Sequence, residues 1–278
     1  MPSGRLRYME IALPNILDQQ GLIDEHHFWV NTCNADDLAW IRARCDEHPD
    51  FLKSIECPVT PAGIPTICLF YQLERYRNLD AIIIKMDDDL CYLAPNAIWN
   101  LLSFRMENPE YFLVFANTIN NSSCDIMRQR AGLIKEFPFW ATIGCGDPIY
   151  TSGEFALASH RTFLEQLKDG DLKLIESQFE RFHFRPGERG SINCVCYFSE
   201  DIELVEWTSS DDEHLMTVET TLSSGRINAV CGSAVVAHFA FGPQRELVEA
   251  AGLLECYRRV SRCLDPKLNQ KDGDGDCE

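Results

Sequence analysis

Three consecutive aspartates, Asp87-Asp88-Asp89, end the apolar run Ala81-Ile82-Ile83-Ile84-Lys85-Met86. Carboxylates this close repel one another, and Lys85 is the only cation adjacent in sequence. A divalent cation is the simplest compensation. Mg²⁺ or Mn²⁺ takes oxygen ligands from one or two carboxylates and leaves its other positions to water and phosphate oxygens. A solvated acidic turn is the competing reading, because runs of like charge often mark exposed loops. The apolar run in front favours the cation, since ligands of open α/β sheets bind beyond the carboxyl ends of the strands. The stretch therefore predicts a buried strand that delivers carboxylates at its tip.

Two other stretches have chemistry to offer. In Ser209-Ser210-Asp211-Asp212-Glu213-His214-Leu215 the serines and early acids announce a helix start. Those acids could simply favour the helix dipole, which needs no function, or could form part of a site. In Ala234-Val235-Val236-Ala237-His238-Phe239-Ala240-Phe241 the single polar residue is His238. It is either a hydrogen-bonded core residue or a ligand.

Positioning these groups takes alternating elements. Apolar spacing predicts a helix over Arg5 to Gln20, kinked by Pro14 and stopped by Gly21. A strand follows at His26 to Thr32, then Asn34 as N-cap of a helix over Asp36 to Glu47, and a strand at Phe51 to Cys57. Pro58 to Pro65 reads as a loop, Thr66 to Arg75 as a helix, and Pro95 opens a helix to Glu107. Tyr111 to Ala116 and Ser191 to Phe198 read as strands, and Glu154 to Lys168 as a helix. Asn120 to Gly153, with Phe137-Pro138-Phe139-Trp140, reads as a long irregular and functional loop. Strand and helix in alternation predict an α/β fold with a mostly parallel sheet flanked by helices.

Composition narrows the function. With 278 residues, 45% apolar and 24% charged, the chain suits one large globular domain or two small ones. The formal charge of −18 opposes nucleic acid and anionic membrane, so a phosphate-bearing ligand needs a metal or a basic pocket. No apolar run reaches the roughly 20 residues of a membrane helix, and the N-terminus lacks a secretory signal; a cytoplasmic protein is expected. The 13 cysteines include Cys68, Cys194, Cys196 and Cys231 inside apolar patterns, which reads as buried free thiols in place of a disulfide framework. Asn120-Asn121-Ser122 and Asn121-Ser122-Ser123 match the glycosylation pattern by chance. Asp272-Gly273-Asp274-Gly275-Asp276 begins like a calcium loop but lacks its bidentate Glu, so residues 263–278 read as an acidic disordered tail.

The order of these motifs resembles the core of GT-A-fold, metal-dependent glycosyltransferases. More closely, Ser3-Gly4-Arg5, Phe28-Trp29-Val30-Asn31-Thr32, Lys85-Met86-Asp87-Asp88-Asp89, Ser191-Ile192-Asn193, Asp211-Asp212-Glu213 and Ala237-His238-Phe239-Ala240-Phe241 with Gln244-Arg245 look like a group of largely uncharacterised glycosyltransferase-like proteins. The likeness runs to about Arg262 and implies a single GT-A-like domain over residues 1–262. It implies Asp87 and Asp89 as a DXD pair, with Asp87, Asp89 and His238 around Mn²⁺ or Mg²⁺. Gly4, Arg5, Thr32, Asp87 and Asp88 would meet the nucleotide sugar, a UDP- or GDP-linked donor. Asp212 would deprotonate the acceptor hydroxyl, with Asp211 or Glu213 as stand-ins, giving transfer of a hexosyl or related sugar with inversion. The acceptor, a glycan, protein or small molecule, is not specified. One departure stands out: the fold ordinarily opens with a strand that is missing ahead of Ser3-Gly4-Arg5. A catalytically inactive sugar-nucleotide-binding protein is therefore the first alternative, and a metal-dependent phosphohydrolase the second.

Overall fold

The computed structural model describes residues 1–56, 67–77, 80–130, 132, 148–169 and 181–264. The Pro58 to Pro65 loop, Phe137-Pro138-Phe139-Trp140 and the Asp272 to Asp276 tail lie outside the described residues. Nine strands form two sheets among them. The first holds β1 (Pro2–Ser3), β2 (His26–Val30) and β3 (Leu52–Glu56) in that order, all parallel. The second contains β4 (Ile82–Met86), β5 (Leu90–Leu93), β6 (Val114–Ile119), β7 (Arg181–His183), β8 (Cys194–Phe198) and β9 (Ala229–His238). Its order is β4-β8-β6-β9-β5, with β7 also on β9.

The helices are α1 (Leu6–Leu17), α2 (Ala35–Glu47), α3 (Ile67–Tyr71), α4 (Ala97–Glu107), α5 (Ser122–Arg130), α6 (Pro148–Thr151) and α7 (Gly153–Lys168). Then come α8 (Asp212–His214), which runs on through a π turn at Leu215–Glu219 into a last α-helical stretch at Thr220–Ser224, α9 (Arg245–Ala250) and α10 (Leu253–Leu264). Local chemistry explains several starts. Asn34 caps α2 by accepting from the amides of Asp36 (2.8 Å) and Asp37. Pro14 sits inside α1, whose buried stripe of Tyr8, Met9, Ala12 and Ile16 faces the sheets.

One large core packs Tyr8 and Ile11 of α1, Tyr92 of β5, Phe163 of α7, Val235 of β9 and Tyr257 of α10. A second, on the other side, gathers Trp29, Phe70, Tyr71, Phe115, Tyr197, Leu215 and Met216. There Trp29 stacks on Phe70 with centroids 4.8 Å apart, and Tyr71 stacks on Trp207 at 5.1 Å. Each such aromatic pair is worth about 1 kcal/mol beyond its area. Cys33, Cys45, Cys91, Cys124 and Cys256 are free, as are Cys68, Cys194, Cys196 and Cys231, which are buried as the pattern implied. Asn120 and Asn121 are also buried, which closes both glycosylation matches in the folded chain.

The structure corrects the expected sheet. The second sheet is not mostly parallel: only β6 and β9 run together, and the other four pairings are antiparallel. β4 and β5, joined by the three aspartates alone, do not pair with each other; they stand at opposite ends of the strand order, each beside a strand antiparallel to it. Neither is β4 a buried central strand. Among the described residues it is an edge paired only with β8, and Ile82, Ile83 and Ile84 are half-buried. The first strand is present, as the two residues of β1 paired to Trp29 and Val30. The stretch after Asn120 is not all irregular either, since α5 and α6 occupy both its ends.

Candidate metal centre and cleft

The aspartates make the turn between β4 and β5, and pairing at both ends fixes it. The Asp87 amide donates to Asn193 O at 2.8 Å, tying the turn to the start of β8. On the other side Phe239 N donates to Asp89 O at 2.9 Å, and Leu90 pairs with His238 at the end of β9. Sheet register therefore brings residues 87–89 and 238 together. Ligand atoms of Asp87, Asp89 and His238 lie within 4.8 Å of one another.

Each carboxylate has its own setting. Asp87 accepts from the buried Lys85 ammonium and from Asn193 Nδ2 at 3.1 Å. Lys85 also donates to Ile192 O at 2.7 Å. Asp88, 4% exposed, accepts from Gly4 N at 2.9 Å and from Arg5 Nε at 2.8 Å, with Arg5 Nη2 closing the fork. Asp89, 2% exposed, accepts from Arg5 Nη1 at 2.7 Å, with His238 Nε2 at 3.5 Å and Arg245 Nη2 at 3.6 Å from the same oxygen. Its other oxygen, Oδ1, is buried without a hydrogen-bond partner.

The charges follow from these contacts. Burial pushes the Asp89 carboxyl upward, but His238, Arg5 and Arg245 outweigh it and hold it well below the usual carboxylate range. For Asp88 burial wins over Arg5, and the carboxyl sits above its ordinary value. Lys85 loses from burial yet is held above the usual lysine value by Asp87 and Asp212. The aspartates are thus compensated by Arg5, Lys85 and Arg245. Lys85 is not their only cation, because the fold brings two arginines from 84 or more residues away.

A cleft of about 440 Å³ opens beside the turn, lined by Gly4, Arg5, Asn31, Ile67, Lys85, Asp87, Asp88, Asp212 and Glu213 among others. Gly4 is required by close approach: a Cβ there would stand 2.9 Å from Asn31 O and 3.1 Å from Thr32 Cβ. Thr32 does not line the cleft. Its hydroxyl donates to Asp37 Oδ2 at 2.9 Å, bracing the start of α2.

The acids of α8 separate into different roles. Asp211 is exposed, caps the helix by accepting from His214 N at 2.9 Å, and pairs with Arg189. It does not line the cleft, so for this residue the capping reading holds. Glu213 lines the cleft but is bound by Arg189 Nε at 2.8 Å. Asp212 accepts from the Tyr71 hydroxyl at 3.2 Å and from Glu213 N at 3.0 Å. Burial raises its carboxyl pKa against the pull of Lys85. The π turn just behind, where Thr220 Oγ1 donates to Leu215 O at 2.8 Å, is a distortion common next to functional sites.

The donor set fits a cation. Two carboxylates and an imidazole suit a divalent ion, and the unpartnered Asp89 Oδ1 supplies an oxygen that nothing else satisfies. His238 is 3% exposed and its Nδ1 lies 3.4 Å from Asn120 O, a contact that favours a proton on Nδ1 and leaves Nε2, which faces Asp89, as the atom that a cation would take in place of a proton. Asn120 itself holds φ 58°, and its amide donates to Phe239 O (3.2 Å) and Gln244 Oε1 (2.9 Å). Sequence reading missed Asn120, Tyr71 and Asn31. A polar residue next to a strand end was the only signal for Asn120, and Tyr71 falls in an apolar pattern that reads as core.

No protein-family model matches this chain, and no curated protein or solved structure matches it. Among the described residues no helix is long and apolar enough to cross a membrane.

Proposed function

We propose that the chain is a metal-dependent glycosyltransferase of the GT-A type, moving a sugar from a nucleoside-diphosphate donor to an acceptor hydroxyl. The reading is supported by one observation above all: Asp87, one member of a candidate metal triad at a strand tip, lines the same cleft as Asp212, a carboxylate from a separate element, while Asp89 and His238 lie behind Asp87 and do not line it. Asp87, Asp89 and His238 would hold Mn²⁺ or Mg²⁺, which when bound supplies positive charge to a diphosphate leaving group. Lys85 and Asn193 fix the orientation of Asp87. Arg5 holds Asp88 and Asp89 in place and leaves its outer edge toward the cleft. Asp212, its pKa raised by burial and its carboxylate oriented by Tyr71, takes the proton of the acceptor hydroxyl. A base across the cleft from the leaving group gives in-line displacement and inversion.

A binding protein without turnover is the second reading. It is favoured by the commitment of both Asp88 oxygens, Oδ1 to Arg5 and Oδ2 to Gly4 N, and of the Arg5 fork to Asp88 and Asp89, which leaves little of either for a nucleotide. Asp212→Asn decides between them. Under the transferase reading the variant keeps its affinity for Mn²⁺ with a UDP- or GDP-sugar, measured by calorimetry. Its transfer rate falls about 10²- to 10⁴-fold. Wild-type protein that binds the donor but never turns it over supports the binding reading instead.

A further inference from the structure

The turn between β6 and α5, Asn120-Asn121, reaches the candidate metal triad from two sides. Both residues are buried. Asn120 carries the change of direction: its φ of 58° lies in the left-handed region that asparagine enters more readily than most residues. Its amide ties that conformation to the end of β9 by donating to Phe239 O at 3.2 Å and to Gln244 Oε1 at 2.9 Å. The Asn120 carbonyl oxygen then stands 3.4 Å from His238 Nδ1, on one side of the triad.

Asn121 leads to the other side, through a chain of hydrogen bonds whose direction is forced at both ends. Ser123 N only donates, so the atom 3.1 Å from it is Asn121 Oδ1, and the Asn121 amide nitrogen faces the opposite way. At the far end a carboxylate only accepts, so the atom 3.1 Å from Asp87 Oδ2 is Asn193 Nδ2. Asn193 Oδ1 is thereby turned back to Asn121 Nδ2, which donates to it at 3.0 Å and to Ser191 O at 3.0 Å. Three amide groups in a row, from Ser123, Asn121 and Asn193, donate toward Asp87. Bonds aligned in this way polarise one another, and each fixes the amide that follows. Among the described residues the Asn193 side chain bonds only to Asn121 and Asp87. With Asn121 cut back, that amide is free to turn over and set its oxygen against the Asp87 carboxylate.

We infer that Asn121 is a positioning residue of the proposed metal centre: without touching a ligand, it holds the Asn193 amide in the orientation that donates to Asp87, and so sets the affinity for the cation. This role rests on the reading of Asp87, Asp89 and His238 as ligands. The Asn120 carbonyl does for His238 what the relay does for Asp87, so one buried turn gauges both.

Two substitutions separate orientation from charge and from folding. Asn121→Ser keeps an oxygen to cap the start of α5 but is too short to reach Asn193. Asn121→Asp keeps the shape and the cap, while both its oxygens only accept; Asn193 then turns its nitrogen to residue 121 and its oxygen to Asp87. Simple attraction makes the added charge tighten cation binding, whereas the relay makes it weaken.

Calorimetry with Mn²⁺ alone on the full chain reads the outcome. We expect wild type to bind and Asp89→Ala not to, with Asn121→Ser weaker by about three- to tenfold and Asn121→Asp by about tenfold or more. In an Asn193→Ala background Asn121→Ser changes the affinity by less than about twofold, because the relay is already cut; general structural damage would add instead. Wild type that binds no Mn²⁺ removes the metal centre and this role with it. Wild-type binding that is lost in Asp89→Ala but unchanged in Asn121→Ser overturns the relay alone. So does tighter binding by Asn121→Asp, or full additivity with Asn193→Ala. Should Asn121→Asp not fold, Asn121→Ser and its cycle decide.

Discussion

Removing the Arg5 side chain tests how the aspartate turn is held. In the folded chain its guanidinium donates to Asp88 and Asp89, at 2.8 Å from Nε and 2.7 Å from Nη1, and both carboxylates are nearly inaccessible to water. Breaking a buried ion pair from one side costs about 3–5 kcal/mol, because the charge left behind has lost its partner. The Arg5 side chain is about one-third exposed, so screening reduces this, and Lys85 and Arg245 still face the turn. We expect Arg5→Met to lower stability by about 2–4 kcal/mol at pH 7, read as a shift in the urea midpoint at constant slope. Adding Asp88→Asn removes the orphaned charge, so the double variant recovers part of the loss. The coupling energy from the cycle should be about 1–3 kcal/mol. A loss below about 0.5 kcal/mol for Arg5→Met, or strictly additive variants, would refute the view that Arg5 compensates the triplet.

Three further outcomes follow from other positions. Burial raises the Asp125 carboxyl to about 6 despite Arg128 at 2.8 Å, so between about pH 4 and 6 the folded chain holds a proton that the unfolded chain has released. Its contribution therefore weakens as pH rises through that window, by about 3 kcal/mol. Asp125→Asn should lack this slope, and a pH-independent difference between the two proteins would contradict it. Asn120→Ala should cost about 1 kcal/mol more than Asn120→Gly in thermal or urea unfolding, since both lose the amide bonds but only Ala is strained at φ 58°. Asn193→Ala should weaken Mn²⁺ binding about tenfold by calorimetry, because Asp87 loses a partner that orients it.

The chemistry was legible in the sequence where it depends on short stretches. The Asp triplet does follow a strand, Asn34 does cap α2, and Asp212 and His238 do come to the neighbourhood of the triplet. What was not legible depends on pairing over long distances. An Ile-Ile-Ile run reads as a central strand whether or not a neighbour lies on each side, and β4 has one on a single side. Sheet direction was misjudged because strand and helix in alternation were read as a parallel sheet, whereas β4 and β6 each pair antiparallel with β8, which comes much later in the chain and which no local pattern announces as their neighbour. The same limit hid Arg5 and Arg245 as compensating charges, since nothing local announces an ion pair across 84 or 156 residues. Asp211 shows the reverse case, where the helix-start pattern alone was the correct reading.

The most direct test of glycosyl transfer is product release. Wild-type protein is incubated with a panel of UDP- and GDP-sugars, with and without Mn²⁺, and the nucleotide products are separated and measured. We expect the nucleoside diphosphate to appear from at least one donor only when Mn²⁺ is added, and to be lost in Asp89→Ala. Free inorganic phosphate in its place, no release from any donor, or release that survives Asp89→Ala would contradict the account.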